Sequence, residues 1–235
     1  MDNGLTLAAP LDFLTKMSAK HRAELKSIAR PCSFSKNETV FGAGAMGRDV
    51  YILVEGRVKI YQLSDVGRKV ILWFCFPGEL FGLAETTHVR PREVHAQACS
   101  DSSVLVIDEK EFKKFVATHS DTAMLVIDLL ATRLRVAGEM LLNVSSDDVM
   151  TRLIKLITRL NAIYGKQLDH EAYLDIHLTH QDMADMIGAS RQTVTTTLGQ
   201  LRRKGILRVE GQRLHIPDPA LLEAISADHG LGRIQ

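Results

Sequence analysis

The chain has 235 residues, 46% of them hydrophobic and 24% charged, enough for one large domain or two ordinary ones with separate cores. A formal net charge of +1 argues against a protein that coats nucleic acid indiscriminately, so any nucleic-acid site must be a local patch. Cys32, Cys75 and Cys99 are odd in number and widely spaced, which disfavours a disulfide framework, a CxxC redox site or a cysteine-rich metal cluster and leaves buried or half-buried free thiols. No apolar run reaches the roughly 18 residues of a membrane span, and Met1 to Ala9 lacks the basic start and apolar core of a signal peptide. The expectation is a cytoplasmic protein with no membrane partner.

From Asp12 to Ala29 apolar residues at Phe13, Leu14, Met17, Leu25 and Ile28 predict short amphipathic helices, with Ser18 able to cap the second. Pro31 to Ile107 changes to short β-rich runs separated by glycines, among them "DVYILVEGRVKIYQL" and "KVILWFCFPGELFG", which predict a small antiparallel barrel or jelly roll. Asp108 and Glu109 open a further helical region. From Asp121, the residues Ile127, Leu130, Leu134, Ala137, Leu141 and Val144 alternate steps of three and four, the seam of a coiled coil. With Arg133, Arg135 and Glu139 flanking it, this seam predicts a long helix pairing with a second copy of itself. Only about two and a half heptads are present, so other contacts must assist.

Ser145, Ser146 and Asp147 are good N-cap residues ahead of a fresh apolar pattern at Val149, Leu153, Leu156, Ile157 and Leu160, which predicts a hinge near Asn143 to Asp147. The helix is expected to break over Tyr164 to His170, "YLDIHLT" to form a short strand, and Thr179 with Asp182 to form a capping box. The fold class expected is α+β, divided as residues 1–120 (β-roll with flanking helices), 121–145 (long helix and hinge) and 146–235 (winged helix-turn-helix).

The stretch that carries chemistry is "IGASRQTVTTTLGQLRRKGIL". Gln181 to Ile187 forms one helix, Gly188 permits a tight turn, and Ser190 caps a second helix to about Lys204, followed by a hairpin wing around Glu210 and Gly211. Val194, Leu198 and Leu201 share the inward face, leaving Arg191, Gln192, Thr195 and Thr196 exposed near the N-terminal end. Arginine can donate two bonds to guanine, glutamine can pair with a base edge, and threonine can meet thymine methyls or phosphates. Arg202, Arg203, Lys204, Arg208 and Arg213, with Ser190 and Thr193 at the helix start, are placed to touch phosphate and set register. Glu210 is the only acidic residue from Arg191 to Arg213. No spacing of nucleophile and base, paired carboxylates or metal triad supports an enzyme; Glu79, Glu85 and His88 are merely close in sequence.

In this order of parts the chain resembles the bacterial family of the cyclic-AMP receptor protein and the fumarate and nitrate reduction regulator, from about Phe13 to Ile216, with "GASRQTVTTTL" at the recognition-helix motif. The resemblance implies a homodimeric transcription regulator on double-stranded, pseudo-palindromic promoter DNA, its two recognition helices about 34 Å apart in successive major grooves. It also implies a small-molecule effector in the β-roll, and RNA polymerase as a partner if the protein activates. Arg191 and Gln192 match the family's base-reading positions, while Thr196 stands where the cyclic-AMP receptor protein has a second reading arginine.

The effector pocket implied by the family comprises Gly82, Leu83, Glu85, Arg92 and Glu93, with Ala137 and Gly138 on the long helix. Leu83 replaces the family's ribose-binding glutamate, Glu93 its phosphate-binding hydroxyl, and Ala137-Gly138 its adenine-facing Thr-Ser. A carboxylate beside a phosphate site is repulsive. These departures disfavour a cyclic nucleotide, although an altered loop would bring Glu85 into reach. The absence of an N-terminal cysteine group disfavours an iron–sulfur cluster, and haem stays open through His88 and His95. His177 and His180 lack a third ligand for a metal, and the effector stays unassigned. The other class of reading is a cyclic-nucleotide-binding module acting on a protein partner.

Overall fold

A computed structural model describes residues 12–85, 90–168, 170–211 and 213–228. The chain opens with α1 (Phe13–Lys16), where Asp12 accepts from the Thr15 amide, and α2 (Ala19–Ser27), capped as expected by Ser18 accepting from the His21 amide. Eight strands follow: β1 (Arg30–Phe34), β2 (Thr39–Phe41), β3 (Asp49–Glu55), β4 (Val58–Leu63), β5 (Lys69–Cys75), β6 (Leu80–Phe81), β7 (His95–Ala98) and β8 (Ser102–Asp108). They form two antiparallel sheets, in the orders β1-β8-β3-β6 and β2-β7-β4-β5.

Alternation along β3 explains how this β-roll is assembled. Tyr51 and Leu53 enter the core between the sheets with Phe41, Ile60, Phe81, Val104 and Val106, whereas Val50 and Ile52 face a second core built by helical residues. That second core holds Phe13, Met17 and Leu25, Phe112 and Phe115 of α3 (Glu109–Thr118), and Leu129 of α4 (Ser120–Ser146). Because both faces of β3 are covered, its pattern is a continuous apolar run. Cys75 is fully buried in the inter-sheet core, and burial pushes its thiol up to about 12.

The contacts divide the chain into two compact units, one ending at Arg135 and the other resuming at Val136, so the boundary falls inside α4. The helical chain itself breaks at Asp147 and Asp148, between α4 and α5, at the end of the stretch expected to form a hinge. Ser145 and Ser146 belong to the last turn of α4, each hydroxyl donating to the Leu142 carbonyl at 2.8 Å. The cap of α5 (Val149–Tyr164) is Asp148, whose carboxylate accepts from the Thr151 amide at 2.8 Å. Both hydroxyls bond back to a carbonyl within α4 and not forward to an amide of α5, so neither serine caps the next helix.

In the C-terminal unit α5 buries Leu153, Ile154, Leu156, Ile157 and Leu160. The break after Tyr164 is a strand, β9 (Gly165–Leu168), which pairs with β10 (Glu171–Leu174); the expected strand over "YLDIHLT" is therefore earlier and shorter. All four residues of β9 are exposed, so no apolar alternation marks it, and only backbone pairing makes it a strand. The chain continues through α6 (His180–Ile187), α7 (Arg191–Arg203), β11 (Arg208–Glu210), β12 (Arg213–Ile216) and α8 (Pro219–Asp228), with the wing sheet in the order β11-β12-β10-β9.

Candidate nucleic-acid interface

Two caps and one glycine set the position of α7. Thr179 and Asp182 close a reciprocal capping box at the start of α6, and α6 ends at Gly188, whose φ of 66° is left-handed. A Cβ at Gly188 would meet nothing within 4 Å, so the requirement there is conformational. Ser190 then caps α7, its Oγ accepting from the Thr193 amide at 3.0 Å. Val194, Leu198 and Leu201 are buried on one face, each adding about 1.5–3 kcal/mol of apolar burial. Arg191, Gln192, Thr195 and Thr196 are exposed, as expected of a face offered outward.

The four threonines of α7 differ in what remains free. Thr197 is buried and donates to the Thr193 carbonyl, Thr193 Oγ1 lies 2.8 Å from Ser190 Oγ, and Thr195 Oγ1 donates to the Arg191 carbonyl at 2.9 Å. Of these four, Thr196 is the one whose hydroxyl has no partner among the described residues. Ser190 and Thr193 thus share one hydroxyl hydrogen bond at the cap, which leaves one hydroxyl hydrogen of the pair as a donor for a phosphate. The imidazole of His180 adds to this surface, its Nδ1 2.9 Å from Thr195 Oγ1. Weighing His180 only as a metal ligand missed this; its place at the first residue of α6 was the available signal.

The basic residues separate into two groups. Arg202, Arg203 and Lys204 are exposed and form no ion pair among the described residues. Arg208 is instead engaged, bidentate to Glu171 at 3.3 and 2.8 Å and through Nε to Glu210 at 2.7 Å, so in the single chain it braces the wing. Arg213 keeps a looser hold, 3.7 Å from Asp175 with its guanidinium 5.0 Å from the Tyr173 ring centroid.

In the β-roll, Arg92 is buried and ion-paired to buried Glu85 at 2.8 Å. Its Nη2 donates to the Asp49 carbonyl at 2.6 Å, Nη1 lies 3.4 Å from the Gly82 carbonyl, and the guanidinium sits 4.0 Å over the Phe41 ring centroid. Gly82 has φ 79°, and a Cβ there would crowd both Tyr51 and Arg92. Glu85 is the carboxylate that meets Arg92, while Glu93 is exposed and lies 3.7 Å from Arg90. An unpaired carboxylate stays in water unless a buried cation holds it. Leu83 joins the helical core, and Ala137 and Gly138 are exposed on α4 in the other compact unit.

His95 stacks on Tyr61 with ring centroids 4.9 Å apart, and its Nδ1 lies 3.4 Å from the Ala43 amide; His88 falls outside the described residues. Among the described residues no three His, Cys, Asp or Glu side chains gather to hold a metal, and no helix is long and apolar enough to cross a membrane.

The model of the cyclic nucleotide-binding domain matches residues 31–119, and that of the Crp-like helix-turn-helix domain matches residues 151–225. The chain is 28% identical over 196 residues to the CRP-like cAMP-activated global transcriptional regulator of Mycobacterium tuberculosis, covering 83% of this chain and 88% of that one. It is 25% identical over 226 residues to the global nitrogen regulator of Synechocystis, covering 94% and 98%. In fold it is similar to FixK2 from Bradyrhizobium japonicum, with TM-score 0.75 and 24% identity over 84% of this chain and 97% of that one. A mutant of CooA from Carboxydothermus hydrogenoformans gives TM-score 0.78 and 21% identity over 93% and 96%. With a β-roll, a long helix and a winged helix-turn-helix in that order, and both halves matched in this way, the chain belongs to the Crp/Fnr family and is a DNA-binding transcription regulator.

Proposed function

We propose that the protein acts as a homodimer on a pseudo-palindromic promoter site, with α7 of each protomer in a major groove. The observation that carries this reading is the exposed face of α7, where Arg191, Gln192 and Thr196 project with no competing side-chain bond while Arg202, Arg203 and Lys204 stand free at the far end. Arg191 and Gln192 read base edges, Thr195 and Thr196 meet methyls or phosphates, and the cap residues, the three free basic residues and Arg213 hold the backbone. The dimer rests on the α4 seam: Ile127, Leu130, Leu134, Leu141 and Val144 are 47–74% exposed in the single chain. That much aligned apolar surface along one helix calls for a partner. The functional division we favour is residues 1–120, 121–145 and 146–235.

For the β-roll we propose an effector other than a cyclic nucleotide. The M. tuberculosis relative is named as cAMP-activated, but here Glu85 already occupies the Arg92 guanidinium that a cyclic phosphate would need, at 2.8 Å and out of water. A phosphate has to displace a buried carboxylate that would then be left unpaired.

Selection of bound duplexes from a random pool, followed by affinity measurement, tests the DNA reading. Arg191→Ala should weaken binding to the selected site by about 1–3 kcal/mol and relax preference at one guanine per half-site. Unchanged preference in the variant would remove Arg191 from the reading role.

A further inference from the structure

The second compact unit contains a cavity of about 480 Å³ that the DNA-binding reading does not use. Its floor is apolar, with Leu156 of α5 and Met186 and Ile187 of α6, all buried. Its wall carries Arg159 of α5, a half-buried guanidinium with no hydrogen bond or ion pair among the described residues. Arg152, two turns back on the same helix, leaves its Nε buried and unpartnered, and its Nη1 reaches only the Val144 carbonyl at 3.5 Å. The third cation, Lys155, is already taken by Asp147 at 2.8 Å and Asn143 at 3.3 Å.

We infer that this cavity binds a small amphipathic monoanion, a single carboxylate on an apolar body, with the Arg159 guanidinium as its anchor. A cavity of this size, largely apolar with a few convergent polar groups, has the character of a ligand site. A guanidinium facing it without a partner supplies the fork that a carboxylate satisfies with two bonds. Desolvation pulls the Arg159 guanidinium below its ordinary value, and Glu139 opposes that shift, so an incoming anion relieves an existing electrostatic cost.

The same wall limits the ligand's charge. Glu139 and Glu223 also line the cavity, so a second negative group meets repulsion and finds no free cation beyond Arg152. The occupant touches α4 on one side and Met186 and Ile187 on the other, directly before the Gly188 turn that leads into α7. The site therefore links the long helix to the helix-turn-helix without passing through the β-roll.

The test uses the full chain without DNA, so its outcome is separate from that of the DNA-binding reading. Octanoate, 1-octanol and octanedioate are titrated by calorimetry into the native protein, Arg159→Met and Ala162→Trp, Ala162 lying exposed on the cavity rim. Octanoate should bind one per chain, at least tenfold more tightly than either control. Arg159→Met should lose tenfold or more for octanoate and keep its octanol affinity, and Ala162→Trp should lose both. Equal binding of octanoate and octanol, no octanoate binding to the native chain, or undiminished octanoate binding in a folded Arg159→Met protein would overturn the assignment. Should Arg159→Met fail to fold, undiminished binding by Ala162→Trp overturns it alone.

Discussion

At the scale of single residues, two buried acids behave oppositely because of what each faces. Glu85 has a buried cation at contact distance, so Glu85→Ala leaves Arg92 charged and unpaired and should destabilise the β-roll by about 3–5 kcal/mol in denaturant titration. Replacing both partners with apolar residues of similar volume should cost much less, which distinguishes loss of pairing from loss of packing. Glu79 is buried and pushed up to about 7 by desolvation, opposed by Arg133. Its folded-state pKa lies above the ordinary 4.5, so the folded chain holds this proton more tightly and stability falls as pH rises from about 4.5 to 7. Glu79→Gln should flatten that part of the pH–stability curve and stabilise the β-roll above pH 7 by roughly 2–3 kcal/mol. An unaltered curve would show that Glu79 titrates normally. The spacing of "PGELFGLAE" disclosed neither role, because each depends on which distant cation lies opposite.

At the scale of elements, the caps and the turn were legible because their chemistry is local. Ser18, Thr179 with Asp182, Gly188 and Ser190 each satisfy or release a backbone group within four residues of themselves. Gly188 carries a prediction of its own: with open space around its absent Cβ, only the left-handed backbone resists substitution. Gly188→Ala should cost about 1–2 kcal/mol and Gly188→Asn less, measured by calorimetric unfolding of the full chain. Equal losses would indicate a packing requirement instead. What local chemistry did not disclose was β9, an edge strand paired with β10, and the choice of Asp148 over the two preceding serines as the cap of α5.

At the scale of the whole molecule, the proposed dimer rests on the α4 seam. Arg133 does not flank it in solvent: its guanidinium donates to the Leu80 carbonyl at 2.6 Å and lies 4.7 Å over the Trp73 ring centroid. The apolar row of Leu134 and Leu141 is left 74% exposed at each residue. Leu134→Asp with Leu141→Asp should convert a dimer to a monomer in analytical ultracentrifugation and abolish tight binding to a two-half-site duplex, since linked half-sites gain from effective concentration. A variant that stays dimeric would place the contact elsewhere.

The amino-acid sequence by itself determined the order of parts, the seam, the helix-turn-helix and the outward face of α7. These rest on periodicities of two and 3.6 residues and on caps that act within one turn. Only the tertiary structure decided which charges are free. It joined Arg92 to Glu85, Arg208 to Glu171 and Lys155 to Asp147, while leaving Arg159 unpartnered at a cavity. Ion pairing depends on distance and burial in three dimensions, which separation along the chain does not encode.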